Sequence, residues 1–257
     1  MRFACIIVLA GLAAADALAA EIPQDERRSG YSFMTPDTRT MQDDGTANPG
    51  MLWVLDGEKL WNRKAGAADK ACADCHNDAR ASMKGVAAHY PAFDKVLGRP
   101  VDLEGRINLC RANHQQATPL GYESRDLLAL TAFVAQQSRG EAIETGNDPE
   151  LQPFIARGRD LFMQRQGQLN LGCANCHDDN WDKRLAGSAI TQAHPTGYPL
   201  YRLEWQSLGS LQRRLRACIT GIRAQAYDYG APELVELELY LMSRARGMPL
   251  ETPAVRP

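Results

Sequence analysis

"CADCH", Cys72 to His76, and "CANCH", Cys173 to His177, decide how this chain reads. Two thiols about one helical turn apart can each form a thioether with a haem vinyl group. The histidine that follows then lies under the iron as proximal ligand. A redox C-x-x-C pair or half of a zinc site explains a cysteine pair alone. Two copies in one chain, each with its histidine in place, predict two covalently bound c-type haems. Cys72 and Cys75 attach the first, Cys173 and Cys176 the second, with His76 and His177 on the irons.

Aligning the two motifs aligns much of the chain around them. Gly57-Glu58-Lys59-Leu60-Trp61 stands before the first as Gly158-Arg159-Asp160-Leu161-Phe162 stands before the second. Downstream, Tyr90-Pro91 matches Tyr198-Pro199, and "GRINLCRAN" (Gly105 to Asn113) matches "RRLRACITG" (Arg213 to Gly221), which sets Cys110 opposite Cys218. Each half closes in a helical pattern, Ser124 to Gly140 and Ala231 to Gly247, with Ser124 suited to an N-cap and Pro232 to a first turn. The expected fold is mainly α: two tandem cytochrome c-like haem domains related by an internal repeat, over 51–145 and 146–257. The polar run Glu141 to Pro153 reads as a linker. Residues 21–50 lack clear periodicity and read as an extended N-terminal arm packing on the domains.

The first residues, "MRFACIIVLAGLAAADALAA", combine a basic start, a short apolar run and Ala17-Leu18-Ala19, the pattern of a secretory leader over 1–20. Cys5 leaves with it, and the mature chain is expected in the periplasm. A net charge of −2 suggests neither nucleic acid nor anionic membrane as a partner. Beyond the leader no apolar run is long enough to span a bilayer.

The far side of each iron is less direct. Electron-transfer cytochromes c use methionine there, but no methionine lies between Met83 and Met163, and Met83 follows His76 too closely. Met242 and Met248 are available late in the second half. The repeated lone cysteines, Cys110 and Cys218, are the leading candidates for both irons, ahead of His89, His114 and His194. A Cys110–Cys218 disulfide competes, since an exported compartment permits it. Repeated positions should instead face their own haems.

Cys218 sits in "SLQRRLRACITGIR" (Ser210 to Arg223), read as a helix reaching at least Thr220. Leu211, Leu215 and Cys218 then share one face, joined by Ile222 if the helix continues, and Arg214 neighbours Cys218 one turn away. Arg213, Arg216 and Arg223 add positive potential at the rim. Cations favour a thiolate and can grip a small dianion. Arg106 precedes Cys110 in the same way, but the arginines are denser in the second half, which is therefore assigned the chemistry.

The two motifs, the paired lone cysteines and the segment Arg213 to Leu241 resemble the SoxA family, dihaem cytochrome c subunits of the SoxAX complex, over nearly the whole mature chain. The resemblance implies an L-cysteine S-thiosulfotransferase. It would pair with a SoxX-like monohaem cytochrome c and couple thiosulfate oxidatively to a cysteine of a SoxYZ-like carrier. Two electrons would pass to a downstream cytochrome. It also implies His76 and Cys110 on the first iron, His177 and Cys218 on the second, Cys218 as the persulfide-bearing relay, and Arg214 as the substrate-binding arginine. The alternative is a periplasmic dihaem electron-transfer cytochrome c without substrate chemistry, which needs a methionine ligand in each half. A dihaem peroxidase needs distal acid–base residues, and no clear set is present.

Overall fold

A computed structural model describes residues 22–257; the leader expected over 1–20, with Cys5, lies outside them. The arm makes two short 3-10 turns and then a helix, α1 (Pro36–Asp43), which the composition does not announce. Its start is local chemistry: Thr35 caps the N–H of Thr38 and Pro36 takes the first helical position. Asn48, buried, then donates to the Pro253 carbonyl at 2.9 Å and accepts from the Gly50 N–H at 2.9 Å.

The first half follows as α2 (Met51–Asn62), the haem-motif turn α3 (Ala73–His76) and the single turn α4 (Ala79–Ser82). A hairpin of β1 (Ala92–Asp94) and β2 (Arg99–Val101) leads into α5 (Leu103–Cys110) and the closing helix α6 (Arg125–Gln136). Ser124 caps α6 by accepting from the Leu127 N–H. The second half repeats the order: α7 (Gln152–Met163), α8 (Cys173–His177), a small hairpin of β3 (Arg184–Leu185) and β4 (Ser188–Ala189), the hairpin β5 (Leu200–Arg202) and β6 (Ser207–Gly209), α9 (Leu211–Gly221) and α10 (Pro232–Arg244). Pro232 stands in the first turn of α10. The β3–β4 hairpin has no counterpart in the first half. A last strand, β7 (Val255–Arg256), pairs parallel to β5.

In each half the first and closing helices cross at a glycine. A Cβ on Gly57 would lie 2.1 Å from the Ala129 carbonyl oxygen, and one on Gly158 2.0 Å from that of Glu236. No side chain fits between such backbones. Behind the first crossing, Trp61, Leu128 and Phe133 form a core that also takes in Leu208, Met242 and Met248 from the second half. Phe162, Leu215, Leu234 and Leu241 build the second.

The halves meet across a buried polar seam. Gln212 on α9 donates to Asp102 Oδ2 at 2.7 Å and accepts from the Gly230 N–H at 2.8 Å, while the Tyr122 hydroxyl donates to Asp102 Oδ1 at 3.1 Å. Glu104 and Glu238 join Asp102 there. Burial, with the charge of Asp102 added, pushes Glu104 up to about 8 and raises Glu238 well above the usual carboxylate range. The polar stretch after α6 is no free tether: Ile143 is fully buried, and Thr145 donates to the carbonyls of Ala88 and Tyr90.

Candidate functional site

α8 carries Cys173 and Cys176 on one turn and ends on His177. His177 Nδ1 lies 2.6 Å from the Thr191 carbonyl oxygen, which can only accept. The proton is therefore on Nδ1 and the lone pair on Nε2. Burial above all, with the charges of Arg214 and Arg244 adding to it, holds this imidazole below its ordinary pKa and neutral. Cys218 approaches from α9, and its charge raises both Cys173 and Cys176. Burial is the larger cause in each, taking Cys173 up to about 12. Cys173, Cys176 and Cys218 are thus electrostatic neighbours, with the neutral imidazole of His177 next in sequence to Cys176.

The first half assembles the same groups. Burial raises Cys72 and Cys110; Cys110 adds to the rise of Cys72, and Cys75 to that of Cys110. His76 is exposed, its ring 5.6 Å from that of Trp61. Both donor sets fit a c-type haem: two free thiols on one turn, an imidazole beside them, and a third sulfur near the end of a later helix that lies within electrostatic reach. The fit is firmer in the second half, where Thr191 fixes the tautomer.

No disulfide joins Cys110 to Cys218; each lies with the cysteine pair of its own half, and all the described cysteines are free. Met242 and Met248 are buried in the core shared with the first half, not in the cluster around Cys173. His194 is a packing residue: its Nδ1 donates to the Arg28 carbonyl at 3.0 Å, and burial pushes it down to about 4. His114 is exposed on a π turn after α5, and His89 is exposed near Glu144.

The arginines around Cys218 divide by what they touch. Arg213 stacks on Trp205, 4.2 Å from its ring centre, and lies 3.8 Å from Glu123. Arg216 lies over Tyr229 at 4.5 Å. Arg223 is past the end of α9, which stops at Gly221, in a left-handed conformation with φ 59°. Ile222 caps the helix rather than extending its face. Arg214, one turn before Cys218 and half-buried, has no ion pair or side-chain hydrogen bond among the described residues. Its repeat partner Arg106 instead binds Asp94 at 2.6 Å. Among the four arginines around Cys218, Arg214 alone has no ring contact, ion pair or side-chain hydrogen bond among the described residues, while Arg216 keeps a buried Nη1 without a hydrogen-bond partner.

Two groups near this site were not singled out from the sequence. Thr191 acts through its backbone, which no residue type betrays. Arg202, the last residue of β5, stands where the first half has Asp94 and becomes visible only when the two hairpins are aligned.

Comparison with known proteins agrees with the repeat. A family profile described as "SoxA/TsdA, cytochrome c domain" matches twice, over residues 56–143 and 157–250. The L-cysteine S-thiosulfotransferase subunit SoxA of Pseudaminobacter salicylatoxidans is 40% identical over 235 residues, 91% of this chain and 82% of that protein. The subunit of the same name from Rhodovulum sulfidophilum is 37% identical over 232 residues, 90% and 81% of the two chains. The crystal structure of SoxXA from P. pantotrophus superposes with a TM-score of 0.87 at 31% identity, covering 90% of this chain and 87% of that one. With a cytochrome c profile matched in both halves, each of which repeats a C-x-x-C-H turn and a later lone cysteine, this chain belongs to the SoxA family of cytochromes c.

Proposed function

We propose that the protein couples thiosulfate to a cysteine of a SoxYZ-like carrier, as an L-cysteine S-thiosulfotransferase, in complex with a SoxX-like monohaem cytochrome c in the periplasm. The observation that carries this reading is Arg214, unpaired and one turn from Cys218, in the half whose cysteine pair feels the charge of Cys218. Cys72 and Cys75, and Cys173 and Cys176, would hold two haems by thioethers. His76 with Cys110, and His177 with Cys218, would ligate the two irons. The two haem units would occupy 51–145 and 146–257, behind an arm over 21–50 and a leader over 1–20.

Bound haem supplies one-electron acceptors. Arg214 binds the sulfonate oxygens of thiosulfate by forked, charge-assisted hydrogen bonds and points the outer sulfur at Cys218. Cys218, as a persulfide, is the covalent relay. Over the whole reaction the S–H bond of the carrier cysteine breaks and a bond to the outer sulfur forms. One proton is released, and two electrons leave singly for a downstream cytochrome. The product is the carrier's S-thiosulfonate.

Replacing Cys218 with Ala is expected to abolish thiosulfate-dependent haem reduction with both partners present, and to change one of two low-spin histidine–thiolate signals in low-temperature EPR. Retained turnover would remove Cys218 from the mechanism. Histidine–methionine or bis-histidine signals unchanged by the substitution would return the protein to an electron carrier.

A further inference from the structure

The repeat supplies an internal comparison for the site on α9. Arg106 and Arg214 occupy the same place, one turn before the cysteine of their helix. Asp94 and Arg202 also occupy the same place, ending the first strand of the hairpin that precedes it. In the first half these positions hold opposite charges and close on each other at 2.6 Å. In the second half they hold two arginines.

Arg202 is well enclosed, its side chain 12% exposed. Its ion pair, Nη2 to Glu204 at 3.1 Å, is with a carboxylate whose side chain is 65% exposed. Such a solvated partner offsets little of the charge. Nε donates to a terminal carboxylate oxygen of Pro257 at 2.8 Å, and the guanidinium lies 5.2 Å from the ring centre of Trp205, with Arg213 also over that ring. Nη1 keeps no protein acceptor among the described residues. Burial lowers the pKa of Arg202, and the nearby charge of Arg214 lowers it further, so the two cations feel each other. Cys218 and Tyr198 act on the same guanidinium. Arg214, with no ionic partner, and the free Nη1 of Arg202 are both satisfied by an anion that joins them.

We infer that Arg202 is a second substrate-binding arginine, which with Arg214 grips the oxygens of a divalent oxyanion beside Cys218. The inference rests on the reading of α9 as the thiosulfate site and adds a residue to it. One arginine positions a sulfonate by a single fork. Two approaching from a helix and a strand fix its orientation and favour a dianion over a monoanion.

The test uses the haem-loaded complex with carrier and measures thiosulfate KM and kcat, together with competitive inhibition by sulfate, a divalent oxyanion with no outer sulfur. Arg202→Met is expected to raise KM and the sulfate inhibition constant on the order of tenfold, with kcat within about twofold. Arg202→Lys should recover most of that loss, whereas Arg202→Asp, which recreates the first half's pair, should raise both constants on the order of a hundredfold. Because Arg202 also braces β7, Glu204→Gln is made alongside: loss of the competing carboxylate should lower both constants about twofold. Unchanged constants in Arg202→Met, or loss of thermal stability alone, would leave Arg202 a brace and overturn the assignment. So would unchanged constants in Glu204→Gln if Arg202→Met does not fold. If Arg214→Met raises both constants and Arg202→Met does not, only the role of Arg202 falls. If neither moves them, the thiosulfate reading of α9 falls as well.

Discussion

Arg106 and Arg214 sit at the same turn of equivalent helices and meet different demands. Arg106 neutralises Asp94, whose side chain is 10% exposed; the backbone N–H groups of Val96 and Leu97 supply its other partners. Removing Arg106 leaves an enclosed carboxylate without its counter-ion, so Arg106→Met is expected to cost about 2 kcal/mol in urea unfolding. Arg214→Met breaks no ion pair and should stay within about 0.5 kcal/mol, yet raise the thiosulfate KM on the order of tenfold under the proposed function. Both arginines were legible because helical spacing ties them to their cysteines. Their contrast was not, since it depends on Asp94 and Arg202, which end strands of three residues. So short a strand shows no alternation to read.

At the scale of elements, the two glycine crossings set how deeply each closing helix seats. Gly57→Ala would place a methyl 2.6 Å from Phe133 Cβ as well as against the Ala129 carbonyl, and Gly158→Ala one 2.8 Å from Tyr240 Cβ. Neither neighbour is a flexible tip, so the helices must part. Each substitution is expected to destabilise by about 2–4 kcal/mol and lower the thermal midpoint of the haem-loaded protein. An unchanged midpoint would mean the crossing has slack. The long helices were readable from apolar spacing and from Ser124 and Pro232. The hairpins and α1 were not: α1 buries Thr38 and Gln42, polar residues that carry no amphipathic signal. Much of the apolar surface in a haem domain faces the cofactor, which shortens the periodic runs that pattern reading needs.

At the scale of the whole molecule, the polar seam makes stability depend on pH. Glu104 titrates near 8 in the folded chain and in the ordinary carboxylate range when unfolded. The folded state therefore holds the extra proton. Its stabilising contribution is complete below about pH 4.5 and is lost as pH rises towards 8, at up to ~1.4 kcal/mol per pH unit. Asp56 and Asp94, held low by Arg125 and by backbone N–H groups with Arg106, titrate below this window. Buried, neutral His177 and His194 add stability as pH rises to about 6.5, so the thermal midpoint is expected to fall between pH 6.5 and 8.5, and Glu104→Gln to flatten that fall; a wild-type midpoint that is level across this range would contradict the buried, protonated seam. Nothing in the sequence marks Asp102, Glu104 and Glu238 as neighbours, because the seam forms only when the two halves close on each other. The Arg106–Asp94 pair and the unpaired Arg214 also differ in what preserves them over generations. Any lineage that needs a folded protein will be selected to keep the pair. Under the proposed function Arg214 serves the substrate and little else, so a descendant that abandoned that substrate would lose Arg214 to drift and retain Arg106 and Asp94. The order in which these residues disappear among relatives would then date the loss of the chemistry.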